Sequence, residues 1–158
     1  MARARPVAGL TPADSFRSAA GKVVATRTEE LFDHAAGVLD TADIERVHDM
    51  RVATRRLRAV LEIFAPCLPR KRHAGVLAEV KVLADALGER RDPDVHIDAL
   101  GKIAAALPAA DQRGIATLVD RFRDEQAGAN AGLEEALAEA ERADLRGRLH
   151  ALAEATER

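Results

Sequence analysis

The chain is 158 residues long, 47% apolar and 32% charged, with a formal net charge of −2, one cysteine and only 3% aromatic residues. That length suits one domain with a sizeable core, and an alanine-rich composition without Trp or Tyr favours closely packed helices over a β-sandwich. Cys67 alone excludes an intrachain disulfide framework and fits a reducing cytosol, no apolar run reaches the ~18–20 residues of a membrane span, and the acidic balance argues against a generic cationic nucleic-acid binder.

In chain order, residues 1–9 read as a disordered basic arm that lacks the apolar stretch of a signal peptide. Residues 10–158 read as a single helical domain. Thr11-Pro12-Ala13-Asp14 combines a hydroxyl cap, a proline at the first helical position and an early acid, so a first helix is predicted from there to about Leu39. Asp40-Thr41-Ala42-Asp43 breaks it and caps a second helix, from about Ile44 to Ala65. Pro66 and Pro69 end that helix. A third, from about Arg70 to Leu87, carries Val76, Leu77, Val80, Leu83, Ala84 and Leu87 on its apolar face, with Gly88 as its left-handed cap. Asp92-Pro93 repeats the cap-then-proline signature and predicts a fourth helix over about 93–106. Pro108 opens a fifth segment to about Ala140, with Gly128 and Gly132 as weak points, and an amphipathic piece follows Asp144. Short connections make successive helices antiparallel. The expected fold is all-α, an antiparallel up-and-down helical bundle of about five or six helices.

The second helix holds the most informative stretch. His48, Arg51, Arg55 and Arg58 are spaced three, four and three apart, which stacks them along one stripe. Val47, Met50, Thr54, Leu57, Leu61 and Phe64 follow the same rhythm along another. At 100° per residue the two stripes are centred roughly 110° apart, so one side faces a core while its shoulder presents positive charge. Arg51 and Arg55 are like charges four apart, which costs a helix roughly 0.2–0.5 kcal/mol, and no acid four residues away relieves either one. Arg58 has Glu62 at that distance. An anion would supply the missing partner, and arginine grips phosphate oxygens with a planar, permanently charged fork. His48 donates from both ring nitrogens when protonated.

Lys81 and the Glu89-Arg90-Arg91-Asp92 corner add charge if the bundle brings them near the second helix. A structural salt bridge or cap is as good a reading of Arg91 and Asp92 as a ligand role. The run Arg70-Lys71-Arg72-His73 reads as a solvated helix start. No Gly-rich phosphate loop, Gly-x-Ser-x-Gly or Cys-x-x-Cys occurs, and no two histidines lie four apart as a helical zinc pair. Asp92, Asp94 and His96 are read as capping rather than metal binding. No catalytic residue, metal or cofactor is therefore expected.

The run His48-Asp49-Met50-Arg51-Val52-Ala53-Thr54-Arg55-Arg56-Leu57-Arg58, then Phe64, Leu68-Pro69 and Leu87-Gly88-Glu89-Arg90-Arg91-Asp92-Pro93-Asp94-Val95, resembles the CHAD domain, the conserved histidine α-helical domain. The likeness is good over about residues 10–110 and looser over 111–158, which look like a helical extension. It implies a helical bundle that binds inorganic polyphosphate through a basic surface without catalysis, in the cytoplasm and at polyphosphate granules. The implied contacts are His48, Arg51, Arg55, Arg56 and Arg58, with Lys81, Arg90 and Arg91 as weaker candidates. Arg56 points about 80–100° away from the main stripe, toward a different part of any anion path. Full-length members have two similar halves, and nothing after Pro108 repeats the basic helix. Either a half-site binds weakly or a homodimer rebuilds the pair. The alternatives are a bundle that binds nucleic acid or an acidic protein, and an enzyme using His48 as general acid. Scarce aromatic residues weigh against nucleic acid, and the lack of a carboxylate to orient His48 weighs against the enzyme.

Overall fold

The computed structural model describes residues 3–156. They hold five α-helices and no strand: α1 (Phe16–Asp33), α2 (Ile44–Ile63), α3 (Arg70–Ala105), α4 (Gln112–Arg142) and α5 (Leu145–Glu154), with a 3-10 turn over Ala65–Cys67. The expected all-α bundle holds. Cross-helix bonds run in opposite numerical order, Arg46 to Ala36 and Arg56 to Glu30 for α1 and α2, Arg90 to Asn130 and Asp94 to Gln126 for α3 and α4. α1 and α2, and likewise α3 and α4, are therefore antiparallel.

The α2 apolar stripe is the centre of the core. Val47, Met50, Thr54, Leu57 and Leu61 are buried, and Phe64 is half-buried. Thr54 fits this apolar row because its hydroxyl donates to the Met50 carbonyl one turn back, at 2.8 Å. Across from it α3 buries Val76, Val80, Leu83 and Leu87 at spacings of four, three and four. Leu145, Leu149 and Leu152 of α5 complete the core beside Val24 and Leu31 of α1. Burial of this kind contributes about 1.5–3 kcal/mol per large side chain.

Both ends of α1 differ from the sequence expectation, and α4 starts at Gln112 rather than at Pro108. Thr11–Asp14 forms a turn, in which the Asp14 carboxylate accepts the Thr11 backbone N–H at 2.7 Å. The helix begins only at Phe16, where the Ser15 hydroxyl accepts the Ser18 N–H at 3.1 Å. α1 ends at Asp33, and the reversal after it uses Gly37 at φ +72°, a conformation glycine adopts without strain.

The largest correction concerns α3, which runs for 36 residues straight through Gly88 and Pro93. Gly88 is not left-handed, since only Gly9 and Gly37 have positive φ among the glycines. A proline inside a helix removes a hydrogen bond and crowds the carbonyl four residues earlier, a cost of ~3 kcal/mol. Tertiary contacts offset it: Leu87, Arg90, Pro93 and Asp94 are all buried, and the polar pair among them bonds to α4. α4 likewise runs through Gly128 and Gly132. Between Val95 and Gly132 no residue is buried, so the outer parts of α3 and α4 form an open two-helix arm.

Met1 and Ala2, the start of the expected disordered arm, lie outside the described residues. Residues 3–9 have no regular secondary structure, but Arg5 pairs with Asp33, and Lys22 donates to the Gly9 carbonyl at 2.7 Å. None of the described helices is long and apolar enough to cross a membrane.

Candidate functional site

The register of α2 against α3 is set at both ends. Arg91 Nη1 donates to the Ile44 carbonyl at 3.1 Å, and His73 Nε2 lies 2.9 Å from the Leu61 carbonyl. Between these staples the solvent side of the pair opens into a groove of about 750 Å³. Its α2 wall is His48, Arg51, Arg55 and Arg58, the stripe expected from the sequence. Its α3 wall is Asp85, Gly88, Glu89 and Asp92.

The basic wall is largely uncompensated. Arg58 Nε donates to Glu62 at 3.0 Å on an exposed surface, a contact of small energetic weight. Arg51 and Arg55 are exposed and have no hydrogen bond or ion pair among the described residues. His48 is half-buried at one end of the row. The carboxylates of Asp85, Glu89 and Asp92 face the arginines from α3, and no ion pair within 4.0 Å bridges the two walls among the described residues.

Sequence-expected residues divide into those that share the groove and those that do not. His48, Arg51, Arg55 and Arg58 come together. Arg56 turns to α1, where its Nη1 donates to Glu30 at 2.6 Å; Glu30 is buried and is also held by Arg27. Arg90 is 0% exposed, so it is withdrawn from any surface path. It bonds to Asp94 and donates to Asn130 Oδ1 at 2.9 Å, and Asn130 in turn donates to the Leu39 carbonyl at 3.1 Å. Burying a guanidinium is tolerable only with such a partner set. Even so, Arg90 Nη2 and Asp94 Oδ2 have no partner among the described residues. Arg91 is half-buried as the staple to Ile44, with Glu45 4.0 Å from its other nitrogen. Lys81 is exposed one turn before Asp85, outside the lining residues.

The acidic wall was missed by sequence reading, although its signal is present. Asp85, Gly88, Glu89 and Asp92 fall at i, i+3, i+4 and i+7, one face of a continuous helix. Reading Gly88 as a helix stop cut that face in two. A second missed group is Glu45, His48 and Asp49 on α2, whose ligand atoms lie within 4.8 Å of one another. They could hold a metal ion, and their spacing of three and one on a single helix is no recognised ligand pattern in the sequence. Exposed carboxylates gather in this way without a metal often enough that the group by itself assigns none.

An antiparallel helical bundle with a two-sided charged groove is the class that fold and site define. The CHAD domain family model matches residues 22–158, so the chain belongs to the CHAD domain family. The match continues through 111–158 and thus takes in α4 and α5. No curated protein and no solved structure matches the chain. At the level of the family, CHAD is known as a polyphosphate-binding helical domain.

Proposed function

We propose that this protein binds inorganic polyphosphate, without chemical change, in the groove between α2 and α3. The observation that carries the reading is the row of Arg51 and Arg55, two exposed guanidinium groups stacked beside His48 with no protein partner among the described residues. Arg58 joins them by releasing a weak surface contact to Glu62. Each guanidinium presents a fork suited to two phosphate oxygens, and repeated phosphates along one polymer add contacts by multivalency. In this reading the protein works in the cytoplasm, at granules where polyphosphate accumulates.

The test is a titration with long-chain polyphosphate, with DNA of matched charge as competitor. Replacing Arg51, Arg55 and Arg58 together by Ala abolishes binding while circular dichroism stays unchanged; unchanged affinity in the folded variant refutes the site. Affinity should also fall steeply with salt, because a polyanion releases counterions when it is bound. Light scattering during the titration reads whether one chain or two engage the polymer. Phosphate release by the pure protein, lost in His48→Ala, would overturn the non-catalytic reading.

A further inference from the structure

The groove is not a simple basic surface. Three arginines line it, but so do four carboxylates: Glu62 beside Arg58, and Asp85, Glu89 and Asp92 on the opposite helix. Packed helices lie only about 8–10 Å axis to axis, comparable to the Debye length of about 8 Å at physiological ionic strength. A bare polyanion drawn to Arg51 and Arg55 would therefore still feel the α3 carboxylates, only about one Debye length away. Those carboxylates are exposed and have not closed onto the arginines, since no ion pair within 4.0 Å spans the groove among the described residues. Two walls of opposite sign thus stand open to one ligand.

We infer that the groove takes polyphosphate as its divalent-cation complex, with phosphate oxygens on Arg51 and Arg55 and the cations turned toward Asp85, Glu89 and Asp92. The inference rests on the polyphosphate reading of the same groove and adds the form in which the polymer is recognised. A ligand that alternates phosphate and cation matches both walls, whereas the bare polymer matches one. Mg²⁺ suits such a place because it keeps several waters and is bound by one or two carboxylates together with substrate phosphates. The acids here need not form a dehydrated cage; they need only face the cation across its water. Glu45, His48 and Asp49, with ligand atoms within 4.8 Å of one another, put further cation-compatible groups at the His48 end of the row.

The sign of the Mg²⁺ effect decides the matter. On a purely basic site Mg²⁺ weakens binding, because it neutralises the phosphates the arginines attract. Long-chain polyphosphate is titrated into the full chain in EDTA and in millimolar Mg²⁺ at matched ionic strength. The same is done for Asp85→Asn/Glu89→Gln/Asp92→Asn, with circular dichroism as the check on folding and Asp85→Asn alone as the milder variant. The expected result is affinity about tenfold higher in Mg²⁺ for the native chain. In the triple variant affinity in EDTA rises, and Mg²⁺ now lowers it. Native affinity that Mg²⁺ leaves unchanged or lowers overturns the inference while the polyphosphate reading stands. No saturable binding in either condition ends both.

Discussion

Arginines of the α2–α3 groove and those of the α1–α5 seam have the same chemistry and opposite circumstances. In the seam, Arg146 holds Glu29, His150 Nε2 lies 2.6 Å from the same carboxylate, and Arg148 reaches Glu79 of α3 at 2.7 Å. The Arg146 hydrogen bond first, and then the His150 contact, lower the Glu29 carboxyl from 4.5 to about 2. Arg146 and Arg148 thus each have a carboxylate partner inside the fold. In the groove, Arg51 and Arg55 have none among the described residues. A protein that meets its cations' needs in one place and leaves them open in another has separated charges that hold the fold from charges available to a ligand.

Mutations can break that contrast, and the largest effect belongs to the buried extreme of the paired class. Arg90→Ala leaves Asp94 buried without its guanidinium and should cost about 3–5 kcal/mol in denaturant unfolding, enough to threaten the fold. A loss below 1 kcal/mol would show that Asp94 takes up a proton or water at little cost.

Next comes the seam's packing. A Cβ on Gly21 would sit 2.9 Å from the Ala153 carbonyl oxygen of α5, too close for real contacts. Gly21→Ala should destabilise by about 1–3 kcal/mol as α1 and α5 are pushed apart. An unchanged melting temperature would mean that α5 contributes little to the cooperative unit.

The Glu29 contribution is smaller and tied to pH. Its folded value is depressed, so the stabilisation is complete above pH 4.5 and is lost as pH falls from there toward about 2. Glu29→Gln should therefore flatten the acid limb of the stability-versus-pH curve. An identical acid limb in both proteins would remove Glu29 from the account.

The smallest effect on stability is expected in the groove, where the contrast is sharpest. Arg55→Ala relieves a like-charge pair with Arg51 and should shift stability by no more than about 0.5 kcal/mol, in the stabilising direction. The same substitution should weaken polyphosphate binding roughly tenfold or more, as loss of a charge-assisted bond does. Clear destabilisation by Arg55→Ala would place this arginine with the structural class.

Much of the molecule was legible in the amino-acid order. The period of Val47, Met50, Thr54, Leu57 and Leu61 fixes which face of α2 is buried, and the interval from His48 to Arg58 fixes which shoulder is charged, because helix geometry converts spacing into direction. Local signals also mark the start of α2 after Asp43 and of α5 after Asp144. What local signals could not decide was the fate of Gly88 and Pro93. Both are helix breakers by intrinsic preference, and only the buried contacts of Arg90 and Asp94 with α4, 32 to 40 residues away in sequence, keep α3 continuous. That continuity has two consequences the sequence alone does not contain: it draws Arg90 into the interior, and it aligns Asp85, Glu89 and Asp92 opposite the arginines. Spacing along one helix determined the basic wall by itself, whereas the acidic wall and the burial of Arg90 were decided by tertiary structure, because they depend on which helices meet and on what each side chain finds there.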